Sequence, residues 1–364
     1  MPLGFRDLAP ISSTATASPA VHTLRATAET CYWGYIDRDQ PPCLVVDDGD
    51  IVGIETVTHH AGDAPDLLMD DGVRALWDAI GEDRRGPGVH ILTGPIEVRG
   101  AEPGDTLCVR IIEMSPRLPY GSNCAAHWGL LYDTFGKERI TIYGLDTAGV
   151  EPAEFSPVAR PLFGFDFTAR PLYDLPGVIS APDESARQRF GRDVAVPVRP
   201  HFGVMGVAPA DAGRHSSIPP GFFGGNVDQW RLGPGTTMCY PVFVPGANLY
   251  VGDPHFAQGD GEICGTAIEA SLNATIQVSI RKGFGATTPF LETPTHWFTH
   301  GFGASLDEAM RGAGEQMLWF MEHHLGLSAD EAYSLASVAV DLGVTQVVDG
   351  VLGCHAGFDR SIVQ

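Results

Sequence analysis

Positive charge is what this sequence has least of. Its 364 residues carry 23 lysines and arginines against 45 aspartates and glutamates, for a net charge of −22. Such a chain repels phosphate backbones and anionic lipid surfaces, so neither nucleic acid nor membrane is an expected partner. Long apolar runs are also missing, and none reaches membrane-spanning length. The opening "MPLGFRDLAPISSTATASPAV" lacks the apolar core of a secretory leader. Seven cysteines, an odd number without a C-x-x-C pair, read as reduced, packed thiols rather than a disulfide framework. Together these absences predict a soluble cytoplasmic protein. The usual chemical motifs are absent too: the sequence contains no G-x-S-x-G elbow, no phosphate-binding G-x-x-x-x-G-K-[ST], no G-x-G-x-x-G after a strand and no H-E-x-x-H.

What is abundant is glycine (44) and proline (28), which favours many short strands and turns. "GDTLCVRIIEM" sets Leu107, Val109 and Ile111 against Cys108 and Arg110, and "ATIQVSIRK" sets Ile276, Val278 and Ile280 against polar neighbours. Both show the period of two of a half-buried strand. A short helix is predicted around 73–80. Helix otherwise comes late: Ser305 with Glu308, and Ser328 with Glu331, have the spacing of capping boxes, and Gly326 suits a helix stop. The expected architecture is mainly β, with a C-terminal helical pair. Residues 1–20 read as an arm and 21–364 as one β-rich catalytic domain, with two β halves linked around the proline-rich 145–200.

Acids and histidines gather in glycine-rich segments. "GDPHFAQGDGE", between two strand-like runs, holds Asp253, His255, Gln258, Asp260 and Glu262. "HFGVMG" holds His201, "GGNVDQW" holds Asn226 and Asp228, "AAHWGLLYD" holds His127, and "GVHILTGP" holds His90. Histidine nitrogen with carboxylate oxygen is a normal donor set for zinc or a similar divalent ion, calcium being the alternative, and a spare carboxylate nearby can manage protons. Each residue also has a structural reading, and lone histidines such as His90 read as hydrogen-bonded structural groups. The adjacent His323 and His324 cannot both face one site.

Taken in order, "GVHILTGPIEVRGAEPGDTLCVRI", "HFGVMGVAP", "GGNVD", "GTTMCYPVFVPGANLYVGDPHFAQGDGEICGTAIE", "GFGASLDEAM" and "SADEAYSLASVAVDLGVTQVVDG" resemble the acetamidase/formamidase family. The likeness runs from about Val21 to Val351. It implies hydrolysis of a small aliphatic amide to ammonia and the acid, a β-sandwich-rich fold with a smaller α/β part, a bound divalent metal and homo-oligomers. One departure is "ETCYWGYID", where Tyr32 stands in place of the histidine expected before the tryptophan. Within this reading His127, Asp228, Asp253 and His255 are the candidate metal ligands, and His201, Asn226 and Gln258 the candidate substrate contacts. Glu262 is assigned proton transfer and Asp260 a supporting or ligand role. The competing reading is a non-catalytic β-sandwich that binds a metal or small molecule, since acidic glycine-rich segments would serve it equally well.

Overall fold

The computed structural model describes residues 18–146, 158–167 and 187–363. Most of the expected arm at 1–20, and residues 147–157 and 168–186 of the expected link, lie outside the described residues. The largest sheet has nine strands, in the order Val21–Leu24, Ile51–Glu55, Leu272–Arg281, Thr106–Pro116, Thr237–Pro241, Phe290–Glu292, His296–Gly303, Leu352–Asp359 and Val340–Gln346. A second sheet runs Gly224–Asn226, His201–Val207, Leu249–His255, Ile91–Val98 and Cys31–Trp33, with Leu44–Val46 also paired to Ile91–Val98.

The alternation read from the sequence sets the stacking of these sheets. Leu107, Val109 and Ile111, with Ile276 and Val278 of the neighbouring strand, share one core with Met205, Val207, Leu249 and Val251 of the second sheet. That face makes a sandwich. Residues one position out of phase, such as Cys108, Cys239, Trp297 and Phe358, lie on the other face. There they pack against Ala309, Ala313, Met317 and Phe320 of the helix Leu306–Leu325. A smaller α/β part joins the helix Asp71–Ala79 to the strands Tyr120–Ala125, Arg139–Leu145 and Val158–Asp166, through Val73, Leu76, Cys124, Ile140, Ile142 and Phe165.

Three expectations need correction. Cys108 and Cys239 are bonded to each other as a disulfide. They are 131 residues apart in sequence but directly opposite in the register of adjacent strands, which spacing alone does not show. The late helices are not the end of the fold. The second stops at Ala339, and Val340–Gln346 and Leu352–Asp359 return to the large sheet as a hairpin. Finally, Ser305 accepts from the Glu308 N–H, but the Glu308 carboxylate accepts from Ala304, one residue short of a reciprocal box. The Ser328–Glu331 box is complete.

Candidate active site

The segment read as an acidic loop is half strand. Leu249–His255 pairs with His201–Val207 on one side and Ile91–Val98 on the other, and only then does the chain turn. Asp253 and His255 are two apart on this strand and both are buried. The turn then separates the two acids that follow. The Glu262 N–H bonds back to the Gly259 carbonyl at 3.1 Å, and Glu262 goes into a cavity while Asp260 goes out. The Asp260 carboxylate is taken by Trp230 Nε1 at 2.7 Å and by Arg231 at 3.1 Å.

The cavity measures about 150 Å³, small beside the roughly 300–1,000 Å³ typical of sites for drug-sized ligands. Its polar lining includes Asp228, Asp253, Glu262, Glu269 and Asp349, with His59, His60 and His90, and among the described residues contains no lysine or arginine. His255, fully buried, lies beneath it with Nε2 at 3.1 Å from both Asp253 Oδ2 and Glu269 Oε2. His59 and His90 each approach Asp253 at 3.7 Å. Asp228, Asp253 and Glu262 all have positive φ, at 51°, 50° and 47°. Non-glycine residues in that region carry local strain, which structures retain mostly where a side chain must be aimed.

The hydrogen bonds behind the cavity fix the orientation of His255. His201 Nδ1 lies 2.7 Å from the Arg199 carbonyl, and its Nε2 lies 3.0 Å from Gln258 Oε1. His255 Nδ1 lies 3.0 Å from the same His201 Nε2. His255 Nε2 faces two carboxylates, and against the effect of burial Glu269 and Asp253 hold this imidazole well above its ordinary value. Gln258 donates to the Asp228 carbonyl at 2.9 Å. His201 and Gln258, expected as substrate contacts, are thus braces outside the cavity lining. Asn226 does line it, and its buried Oδ1 has no hydrogen-bond partner among the described residues. His127 is at the rim, half exposed, with Nδ1 at 3.7 Å from Glu138, and belongs to none of the candidate ligand groups among the described residues.

Burial and crowding of like charge dominate the electrostatics. Burial, then the neighbouring Asp253, pushes Asp228 up to about 7. Burial, then Asp228 and Asp349, holds Glu262 well above the usual carboxyl range. For Asp253 burial also acts upward, but His255, His90 and His59 together outweigh it and hold the carboxyl well below its ordinary value. Burial lowers His201 to about 3, which keeps it neutral in its bracing role.

Several observations fit a divalent cation here. Ligand atoms of Asp228, Asp253 and His255 lie within 4.8 Å of one another, as do those of His59, His90 and Asp253. Both Asp228 oxygens, Asp253 Oδ1, His255 Nε2 and Glu269 Oε2 are buried without a partner of hydrogen-bond geometry among the described residues. Buried anions without such partners are costly unless a cation compensates them. The space between them exists because residue 203 is glycine: a Cβ there would run into Asp253, Asp228 and His255 together. The second nitrogen of His255 is already engaged, as in most metal-ligating histidines.

Five contributors were missed or discounted in the sequence. Glu269 is hidden in "AIEASLNATIQVSI", which reads as one strand, whereas the strand starts only at Leu272. His59 and His60 sit in "THHAGD" and Asp349 in "VVDG", where nothing in the spacing marks a site. His90, read as structural, faces Asp253.

Known proteins resemble this one in both sequence and fold. The chain is 33% identical over 258 residues to the acetamidase of Mycolicibacterium smegmatis, covering 60% of this chain and 63% of that protein. It is 31% identical over 259 residues to the formamidase of Methylophilus methylotrophus, covering 61% of each. The match therefore spans about three-fifths of these relatives' own lengths. The crystal structure of an acetamidase from Bacillus halodurans superposes with a TM-score of 0.71 at 25% identity, covering 93% of this chain and 98% of that one. Residues 34–354 match the family described as the Acetamidase/Formamidase family, and by that match the chain belongs to it.

Proposed function

We propose that the protein hydrolyses a short linear amide, of the formamide or acetamide type, to ammonia and the carboxylic acid, with a divalent cation at the site. The observation that carries this is the cradle of Asp228, Asp253 and His255 around Gly203, at the base of a cavity of about 150 Å³. These three residues would hold the cation, with His59 and His90 offering donors on the other side of Asp253. Mixed imidazole and carboxylate donors favour zinc over calcium, which takes oxygen ligands. When bound, such a cation supplies Lewis acidity, to polarise a carbonyl and to bring the pKa of a water toward about 7.

The remaining work falls to the chain's own side chains. Glu262, buried beside Asp228 and Asp349, is the proton carrier. It takes a proton from the water that attacks the amide carbon, and returns it to the nitrogen as the C–N bond breaks and ammonia leaves. The unpartnered Asn226 Oδ1 accepts an N–H of the substrate and so orients the amide in the cavity. Glu269 and His201 hold His255 from either side. Ammonia release from formamide and acetamide, measured with and without a chelator, tests the proposal. Release that stops with chelator and returns on adding zinc is the expected result. No release from the metal-loaded protein would favour a purely binding role.

A further inference from the structure

The cavity has a second kind of wall. Beside its acids and histidines it is lined by Val89, Trp128, Ile218 and Val348. The alkyl group of an amide bound at the acidic base has these apolar side chains as its natural surroundings, because contact with buried carboxylates would strip their solvation without return. Trp128 is by far the largest of the four.

Trp128 is also held in place. Its indole packs on the smaller α/β core and meets the His127 ring edge-on at 4.8 Å between centroids. It lies against the backbone of Gly265, where a Cβ would fall on the indole atoms Cδ1 and Nε1. Gly265 has φ +99°, and its N–H bonds to the Glu262 carbonyl at 2.8 Å. The Leu130 N–H bonds to the Ile263 carbonyl at 2.8 Å. The loop carrying Trp128 is therefore tied to the turn that carries Glu262. An aromatic ring fixed in this way is a rigid boundary, not a flap.

From this arrangement, and resting on the amide-hydrolysis reading above, we infer that Trp128 is the steric stop that limits the acyl chain of the substrate. It acts on specificity: it sets which amides fit, while other residues carry the protons. One methylene gained or lost in an apolar pocket changes kcat/KM by about 10–200-fold. Shortening this side chain therefore opens the site to longer amides by that order.

The test measures ammonia release from formamide, acetamide, propionamide and butyramide by wild type, Trp128→Phe and Trp128→Ala. The readout is the ratio of kcat/KM for butyramide to that for acetamide within each variant, which does not depend on the fraction of folded protein. The expected ratio rises about 10–200-fold in Trp128→Ala and less in Trp128→Phe. Should Trp128→Ala fail to fold, a raised ratio in Trp128→Phe supports the inference and an unchanged one overturns it. A ratio unchanged in both variants, with acetamide still turned over, overturns the inference and leaves the amidase reading standing. If the metal-loaded wild type releases ammonia from none of the four amides, both fall together.

Discussion

Gly203→Ala is a one-methyl test of the cation cradle. Gly203 lies in the strand His201–Val207 and has no left-handed φ, so the alanine backbone is unstrained and only the methyl matters. Built on the backbone, that methyl would lie 2.6 Å from Asp228 Oδ1 and 2.6 Å from His255 Cε1, and closer still to Asp253 Oδ2. Real methyls do not approach below 3.0 Å, so each neighbour must retreat by at least 0.4 Å. Ligand distances tolerate only about 0.2 Å of error. The movement thus exceeds the tolerance at all three proposed ligand residues at once. Disturbing even the groups behind a metal ligand costs about 10–100-fold in affinity, so a loss of at least about 100-fold is expected here. The fold should lose only the roughly 1–3 kcal/mol of an overpacked core position. Competition with a chromogenic chelator gives the affinity, elemental analysis the occupancy, and thermal melting the stability. A folded Gly203→Ala protein that keeps full metal and full turnover would refute the placement of the cation.

Glu262→Gln preserves size and hydrogen bonding but cannot carry a proton. Turnover should fall by about 10²–10⁴ with metal content and KM little changed, whereas loss of the metal would make Glu262 a ligand instead. Binding a cation to Asp228 requires its carboxylate, yet burial and Asp253 hold that proton up to a pKa of about 7. Below pH 7 uptake must therefore release it, and affinity should rise about tenfold per pH unit for each proton displaced. Calorimetry at pH 6 in buffers of differing ionisation enthalpy reads that release, and zero proton release would contradict it. Cys264, two residues past Glu262, does not line the cavity, its Sγ meeting Asn123 Nδ2 at 3.2 Å instead. Cys264→Ser should keep turnover within a few-fold, and its abolition with metal content and fold intact would point to a thiol mechanism.

The sequence was most legible where one periodicity dominated. Alternation in 106–116 and 272–281 identified the central strands, and Ser328, Glu331 and Gly326 marked helix ends from local chemistry alone. The run Asp253-x-His255 was legible as a candidate site because its charge exceeded what a turn needs. Pairing across long separations was not. Nothing local places Cys108 opposite Cys239, or brings His59, His90 and Glu269 around Asp253 and His255. Those contacts follow from the register of strands distant in sequence. Asp260 and Glu262 had equal claims in sequence, and the turn at 259–262 separated them. His201 and Gln258, expected to touch substrate, stand one layer behind the cavity, a distinction of depth that side-chain chemistry does not encode.

Turnover should depend on a cation seated among Asp228, Asp253 and His255. The most direct measurement is an anomalous difference map, collected on either side of the zinc edge, from crystals of protein with demonstrated ammonia-releasing activity. The expected peak lies within about 2.0–2.2 Å of His255 Nε2 and of carboxylate oxygens from Asp228 and Asp253, in the space left by Gly203. Active protein whose map, at any transition-metal edge and in the difference density, is flat at that point would contradict this placement.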